Sequence, residues 1–143
     1  MVFVWVQTGR IFLFTFYKTP AFTDDILIDW YKSVYEHGER LSKNHMTGNW
    51  LIMEMNGLGQ IGILYQQFKK SAKWLQQALE SLEEELDRQI YPDGFQYELT
   101  TNYHDVVIKQ LTSVLLKLLI SLEKQFQTHF LKSCQERVSL ISN

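Results

Sequence analysis

Three polar groups in this sequence stand where their types and spacing could do chemistry. Asn49 follows Gly48 at the opening of an apolar run, TGNWLIMEMNGLGQIG. A carboxamide at a helix start can cap the helix, or it can hydrogen-bond a ligand carboxylate and neutralise it. Tyr103 and His104 lie in PDGFQYELTTNYHDV. Asn102 suits an N-cap and Asp105 falls three residues later. The spacing therefore predicts Tyr103 and His104 in the first turn of a helix, beside free backbone N–H groups and the positive end of the dipole. A phenolate is favoured there, which suits a tyrosine that gives or takes a proton. The plainer alternative is a tyrosine packed on the core with its hydroxyl in water. Glu54 belongs to the same apolar run as Asn49. It needs a partner if buried, and a structural acceptor role is expected.

These groups need elements to hold them. After Pro20, the run Thr23-Asp24-Asp25 offers a threonine cap and two first-turn acids. The helix it opens carries Ile26, Trp30, Val34 and Leu41 to about Asn44. A second helix is expected from Asn49 to about Tyr65. Trp50, Leu51, Met53, Leu58, Ile61 and Leu64 lie nearly all round it, so it should be buried on most sides. A third spans about 70–90, with Leu75, Leu79, Leu82 and Leu86 as its apolar stripe and the acidic run 83–85 with Arg88 on its wet side. Pro92-Asp93-Gly94 makes a sharp turn. FQYEL reads as a short extended piece with no partner in view. A last helix from near Tyr103 carries Val106, Leu111, Val114, Leu115, Leu118 and Leu122 to at least Phe126. The pattern predicts an all-α protein of about four long helices, in two layers rather than as a simple four-helix bundle.

Composition narrows the function classes. The 143 residues are 45% hydrophobic and 21% charged, which suits one globular domain with a sizeable core. A net charge of −2 with no Lys/Arg block gives no case for nucleic acid. A single cysteine, Cys134, precludes an internal disulfide or a cysteine metal framework, and neither metal nor cofactor is expected. MVFVWVQTGRIFLFTFY is apolar but is interrupted by Arg10 and is too short to span a membrane. It has no signal-peptide layout and is expected to enter a protein interior. Gly57-Leu58-Gly59-Gln60-Ile61-Gly62 fits a dinucleotide-binding pattern. The region about 20 residues on is helix-periodic where that pattern needs a strand ending in an acid. Gly59 and Gly62 are expected instead to let helices approach closely.

Residues 19–110 carry a set of motifs: GNWxxxE from Gly48, YxxFK from Tyr65 with a following tryptophan, EL-x-x-Q-x-YPDG-x-Q-x-E from Glu85, and Tyr103-His104. Together they resemble the α-helical domain of the heparinase II/III family of polysaccharide lyases, most of all its heparin-sulfate lyase branch. The resemblance implies a fragment of an incomplete (α/α) toroid that β-sandwich domains follow in the family. It implies β-elimination at a uronic-acid glycosidic bond of an acidic polysaccharide, in a periplasmic or secreted setting. Asn49 matches the asparagine that neutralises the uronate carboxylate, and Tyr103 the tyrosine that acts as acid, or as both base and acid. Gln96, Glu98 and His104 match residues near the cleft and are expected to bind substrate.

The likeness is weak over residues 1–18 and 111–143. The family's catalytic histidine has no counterpart in this chain, and His129 does not qualify. The chain alone is therefore expected to be inactive. A different class stays open: a non-catalytic helical module that binds carbohydrate or a partner protein through exposed aromatics such as Trp5, Phe12, Phe14 and Phe16.

Overall fold

The computed structural model describes residues 15, 19, 23–114 and 116–121. The expectations for the apolar start, for Leu115, for Cys134 and for the helix beyond residue 121 lie outside the described residues. Four helices follow one another: α1 (Asp24–Lys43), α2 (Asn49–Leu64), α3 (Ser71–Gln89) and α4 over 101–114, with helical residues again over 116–121. The fold is all-α, as the periodicity predicts.

The inner helix is α2, because its sequence leaves it almost no wet face. Twelve of its sixteen residues are buried, so it must be covered from several directions. Small residues let the neighbours come close. A β-carbon on Gly62 would lie 2.8 Å from the Ser71 carbonyl oxygen and 2.8 Å from the Leu75 β-carbon, so α3 crosses there at backbone distance. At Gly59 the added carbon would meet Val114 of α4 at 3.3 Å and Ala78 of α3 at 3.4 Å. The pattern that resembled a dinucleotide fingerprint is thus a packing surface.

Polar side chains also pin α2 to α4. Asn56 and Gln60 are fully buried. The two hydrogens of Asn56 Nδ2 are shared among the Gln110 carbonyl at 2.5 Å, Gln110 Oε1 at 2.8 Å and Ser113 Oγ at 2.7 Å. Gln60 Nε2 donates to Asn56 Oδ1, and Lys117 Nζ donates to Gln60 Oε1 at 2.6 Å. Buried amides need such partners, and here each is supplied.

Helix α1 closes the other side through aromatics. Tyr31, Tyr35, Tyr65, Phe68 and Trp74 form a run of edge and stacked ring contacts, with Tyr65 and Phe68 parallel at 5.6 Å. Trp74 lies against Gly38, where a β-carbon would come within 2.6 Å of the indole. Glu39 on α1 accepts from Lys43 at 2.8 Å and from Lys70 at 2.7 Å.

Several expectations need correction. Thr23 is the N-cap residue of α1, but its side chain makes no capping bond; its carbonyl takes the Leu27 amide. Trp50 is 57% exposed, because it falls on the narrow side of α2 that no described helix covers. The buried face of α3 is Ser71, Trp74, Ala78, Leu82, Glu85 and Gln89, so Glu85 is interior while Leu86 lies at the rim. FQYEL does have a partner. An isolated antiparallel bridge joins Ile90 to Gln96, with Tyr91 N donating to Phe95 O and Tyr97 N donating to Gln89 O, both at 2.8 Å. Helix α4 starts two residues earlier than expected. The Thr100 hydroxyl takes the Tyr103 amide at 3.4 Å, so Thr100 is the cap and Asn102 lies within the first turn.

Candidate functional site

Asn49 opens α2, and the backbone before it explains its position. Gly48 is the N-cap, with φ +63° and ψ −142°, a conformation that side chains disfavour. No side chain caps α2, whose N-cap is a glycine, and the Asn49 side chain bonds to nothing in its own helix. It turns instead to Gln96, whose Nε2 donates to Asn49 Oδ1 at 3.2 Å. Asn49 Nδ2 is shielded from water and has no partner. Leaving a buried amide N–H₂ unpaired costs about 1–3 kcal/mol, so it invites an acceptor.

Gln96 is fully buried. Its second Nε2 hydrogen goes to Gln89 Oε1 at 3.4 Å, and its Oε1 takes the Glu98 amide at 3.0 Å. Gln89 Nε2 in turn donates to Glu85 Oε2 at 2.5 Å, and Arg88 Nη1 donates to Glu85 Oε1 at 2.9 Å. With no exposed surface, Gln96 meets Asn49 and Gln89 and not the solvent.

The turn that delivers Gln96 also carries the other residues. Asp93 Oδ1 accepts the Phe95 amide at 3.0 Å, and Gly94 adopts φ +85°. Phe95 stacks flat on His104, with centroids 4.8 Å apart and planes 1° from parallel. His104 Nδ1 is the second buried side-chain atom without a partner among the described residues. Tyr103 precedes it and is 51% exposed. Glu98 is half-buried. The segment 95–98 thus touches Asn49 through Gln96 and the first turn of α4 through Phe95.

Three neighbours escaped the sequence reading. Glu85 and Gln89 carry the interior hydrogen bonds just described. Tyr97 places its hydroxyl 3.4 Å from where a β-carbon on Gly48 would stand. Tyr97 is partly exposed, and partial desolvation of its phenol raises it from its ordinary value, with the nearby Glu98 and Glu85 carboxylates adding to that. Glu54 has the structural role expected of it: its Oε2 accepts the Met46 amide at 2.7 Å and braces the loop before Asn49. No group of three or more His, Cys, Asp or Glu side chains is placed to hold a metal among the described residues. No described helix is long and apolar enough to cross a membrane.

Comparison with known proteins places this arrangement. The family profile described as Heparinase II/III N-terminus matches residues 5–142. A heparin-sulfate lyase of Pedobacter heparinus is 29% identical over 133 residues, covering 89% of this chain and 20% of that protein. A heparin-sulfate lyase of Bacteroides stercoris is 24% identical over 139 residues, covering 96% of this chain and 21% of that one. The crystal structure of heparan sulfate lyase HepC from Pedobacter heparinus superposes with a TM-score of 0.72 at 28% identity, over 92% of this chain and 21% of that chain. The chain therefore spans about a fifth of the length of these relatives, and its fold superposes on part of the HepC chain. With the profile matching almost every residue, the chain belongs to the heparinase II/III family through its N-terminal domain.

Proposed function

We propose that this chain supplies the carboxylate-neutralising asparagine and the proton-transferring tyrosine of a lyase that cleaves a uronate-containing glycosaminoglycan. The observation that carries the reading is the state of Asn49. Its oxygen is held by Gln96, and its nitrogen is free of any partner. The relatives' names, heparin-sulfate lyase, point to the same substrate class.

The chemistry follows from these groups. The C5 proton of a uronate becomes removable once hydrogen bonds draw charge from its carboxylate and stabilise the enolate-like intermediate. Asn49 Nδ2 is the donor for that carboxylate. Tyr103 is exposed at the start of α4 and free to meet the sugar. Its phenol gives a proton to the leaving glycosidic oxygen, and its phenolate form can take the C5 proton. Glu98 and His104 border the same segment and contact the sugar. The remaining catalytic group and the rest of the cleft are assigned to the parts of a lyase that lie outside the matched fifth.

A graft tests this reading. Residues 19–110 replace the matching segment of the Pedobacter heparinus lyase, and product is followed by the ultraviolet absorbance of its unsaturated uronate. The graft is expected to turn over, with Asn49→Ala lowering kcat about 10²–10³-fold and Tyr103→Phe about 10²–10⁴-fold. An active graft indifferent to both substitutions overturns the reading. Binding that survives Tyr103→Phe while turnover is lost separates this lyase from a module that only binds carbohydrate.

A further inference from the structure

We propose that Glu85, Gln89 and Gln96 are positioning residues that lock the Asn49 carboxamide with its nitrogen toward the ligand. The proposal rests on the reading that Asn49 meets a carboxylate, and it explains how that amide is held the right way round.

A primary amide has two nearly identical ends, and only its partners decide which way it points. Here the decision starts at Glu85. Its carboxylate is buried, accepts Arg88 Nη1 and can only accept further hydrogen bonds. Gln89 lies one turn later on the same face of α3, so its Nε2 must face Glu85 and its Oε1 must face away. That oxygen meets Gln96, which therefore turns its Nε2 inward. The second Nε2 hydrogen of Gln96 then meets Asn49, and Asn49 must answer with oxygen. Its Nδ2 is left pointing away from the chain of amides, unpartnered. Reversing any one amide would set two donors or two acceptors face to face. Orientation thus passes from one anion, through two glutamines, to the nitrogen that receives the substrate.

The backbone serves the same end. Gln96 reaches this position because the 92–94 turn folds the chain back on the end of α3, where Tyr97 N donates to Gln89 O. Gln96 Oε1 accepts the Glu98 amide, and reversing Gln96 would set its Nε2 against that N–H, donor to donor.

The test uses the 143-residue chain labelled with ¹⁵N, its side-chain amide signals, and free glucuronate as the probe. Circular dichroism confirms that each variant is folded. In the wild type, contacts seen through the amide protons should place Gln96 Nε2 against Asn49 and Gln89, and glucuronate should move the Asn49 Nδ2 signals. Glu85→Gln removes the anchoring anion. The Asn49 signals should then broaden or double, and the apparent glucuronate affinity should fall about tenfold. Gln96→Glu, nearly isosteric, replaces the donor with an acceptor and should turn Asn49 Nδ2 inward, abolishing its response to glucuronate. Unchanged Asn49 signals in both variants overturn the relay. Reoriented Asn49 signals, in a chain whose wild type does not respond to glucuronate, uphold the relay and overturn the carboxylate-binding reading instead.

Discussion

Gln96 Nε2 donates to Asn49 Oδ1 at 3.2 Å, joining the turn after α3 to the first residue of α2. This bond ties the two motif blocks, GNWxxxE and YPDG-x-Q-x-E, into one unit although 47 residues separate them. It also makes the site sensitive to the packing of α2 on α3, and the predictions below test that packing and its electrostatics.

Gly62→Ala should destabilise the chain. The new methyl would meet the Ser71 carbonyl oxygen and the Leu75 β-carbon at 2.8 Å, and neither can swing aside because one is backbone and the other is bonded directly to it. Overpacking costs about 1–3 kcal/mol, and the better helix propensity of alanine returns up to about 1 kcal/mol. A net loss of about 1–2 kcal/mol is expected in urea unfolding. A gain in stability would show that α3 stands further off.

Leu99→Asn should stabilise. Leu99 has φ +56° and is 68% exposed, so it bears left-handed backbone strain with little packing in return. Asparagine adopts that conformation more readily, and a gain of about 0.5–1 kcal/mol is expected from thermal unfolding. A loss would mean that the exposed leucine is held by contacts worth more than the strain.

Glu39 should contribute to acid sensitivity. Hydrogen bonds from Lys43 and Lys70 hold its carboxyl below the ordinary value of 4.5. The folded state therefore favours the ionised form, and the stabilisation is present above pH 4.5 and is lost as pH falls through the lowered folded value. Thermal midpoints of the wild type and Glu39→Gln, measured against pH, should differ near neutrality and converge at low pH. Both groups are partly exposed, so the gap should also shrink in high salt.

Tyr97 should act at the opposite end of the pH scale. Its phenol is raised above the ordinary 10.0, first by burial and then by Glu98 and Glu85. Folding favours the neutral phenol, so this contribution is intact below pH 10.0 and fades as pH rises through the raised folded value. Tyr97→Phe should remove one late step from the ultraviolet phenolate titration and make the alkaline fall in thermal midpoint shallower. An unchanged late step would show that the Tyr97 phenol is not desolvated.

Much of this structure was legible from residue types. Helix α2 was plain because its apolar residues run nearly all round it, and the Gly59 and Gly62 positions follow from the need to cover such a helix closely. The candidate pair Asn49 and Tyr103 came from motif likeness, while capping logic misplaced the start of α4 by two residues. Asn102 and Thr100 are both good caps, and only the turn before them decides which one is used. The interior role of Glu85 was hidden because Leu75, Leu79, Leu82 and Leu86 form a tempting stripe. The face actually buried runs through Trp74, Ala78, Leu82, Glu85 and Gln89, spaced by three or four residues just as regularly. A carboxylate and an amide in such a register signal an internal hydrogen-bond network. Trp50 misled in the opposite sense, since a large apolar residue beside an uncovered edge can stay in water.

The most direct measurement follows the Asn49 side-chain ¹⁵N signals of this chain during titration with a glucuronate-containing heparan sulfate oligosaccharide, and with the same oligosaccharide after its carboxyl groups are reduced to alcohols. If Asn49 Nδ2 receives the uronate carboxylate, its signals shift with the native sugar and stay in place with the reduced one. Equal shifts with both sugars, or none with either, would contradict the assignment of Asn49.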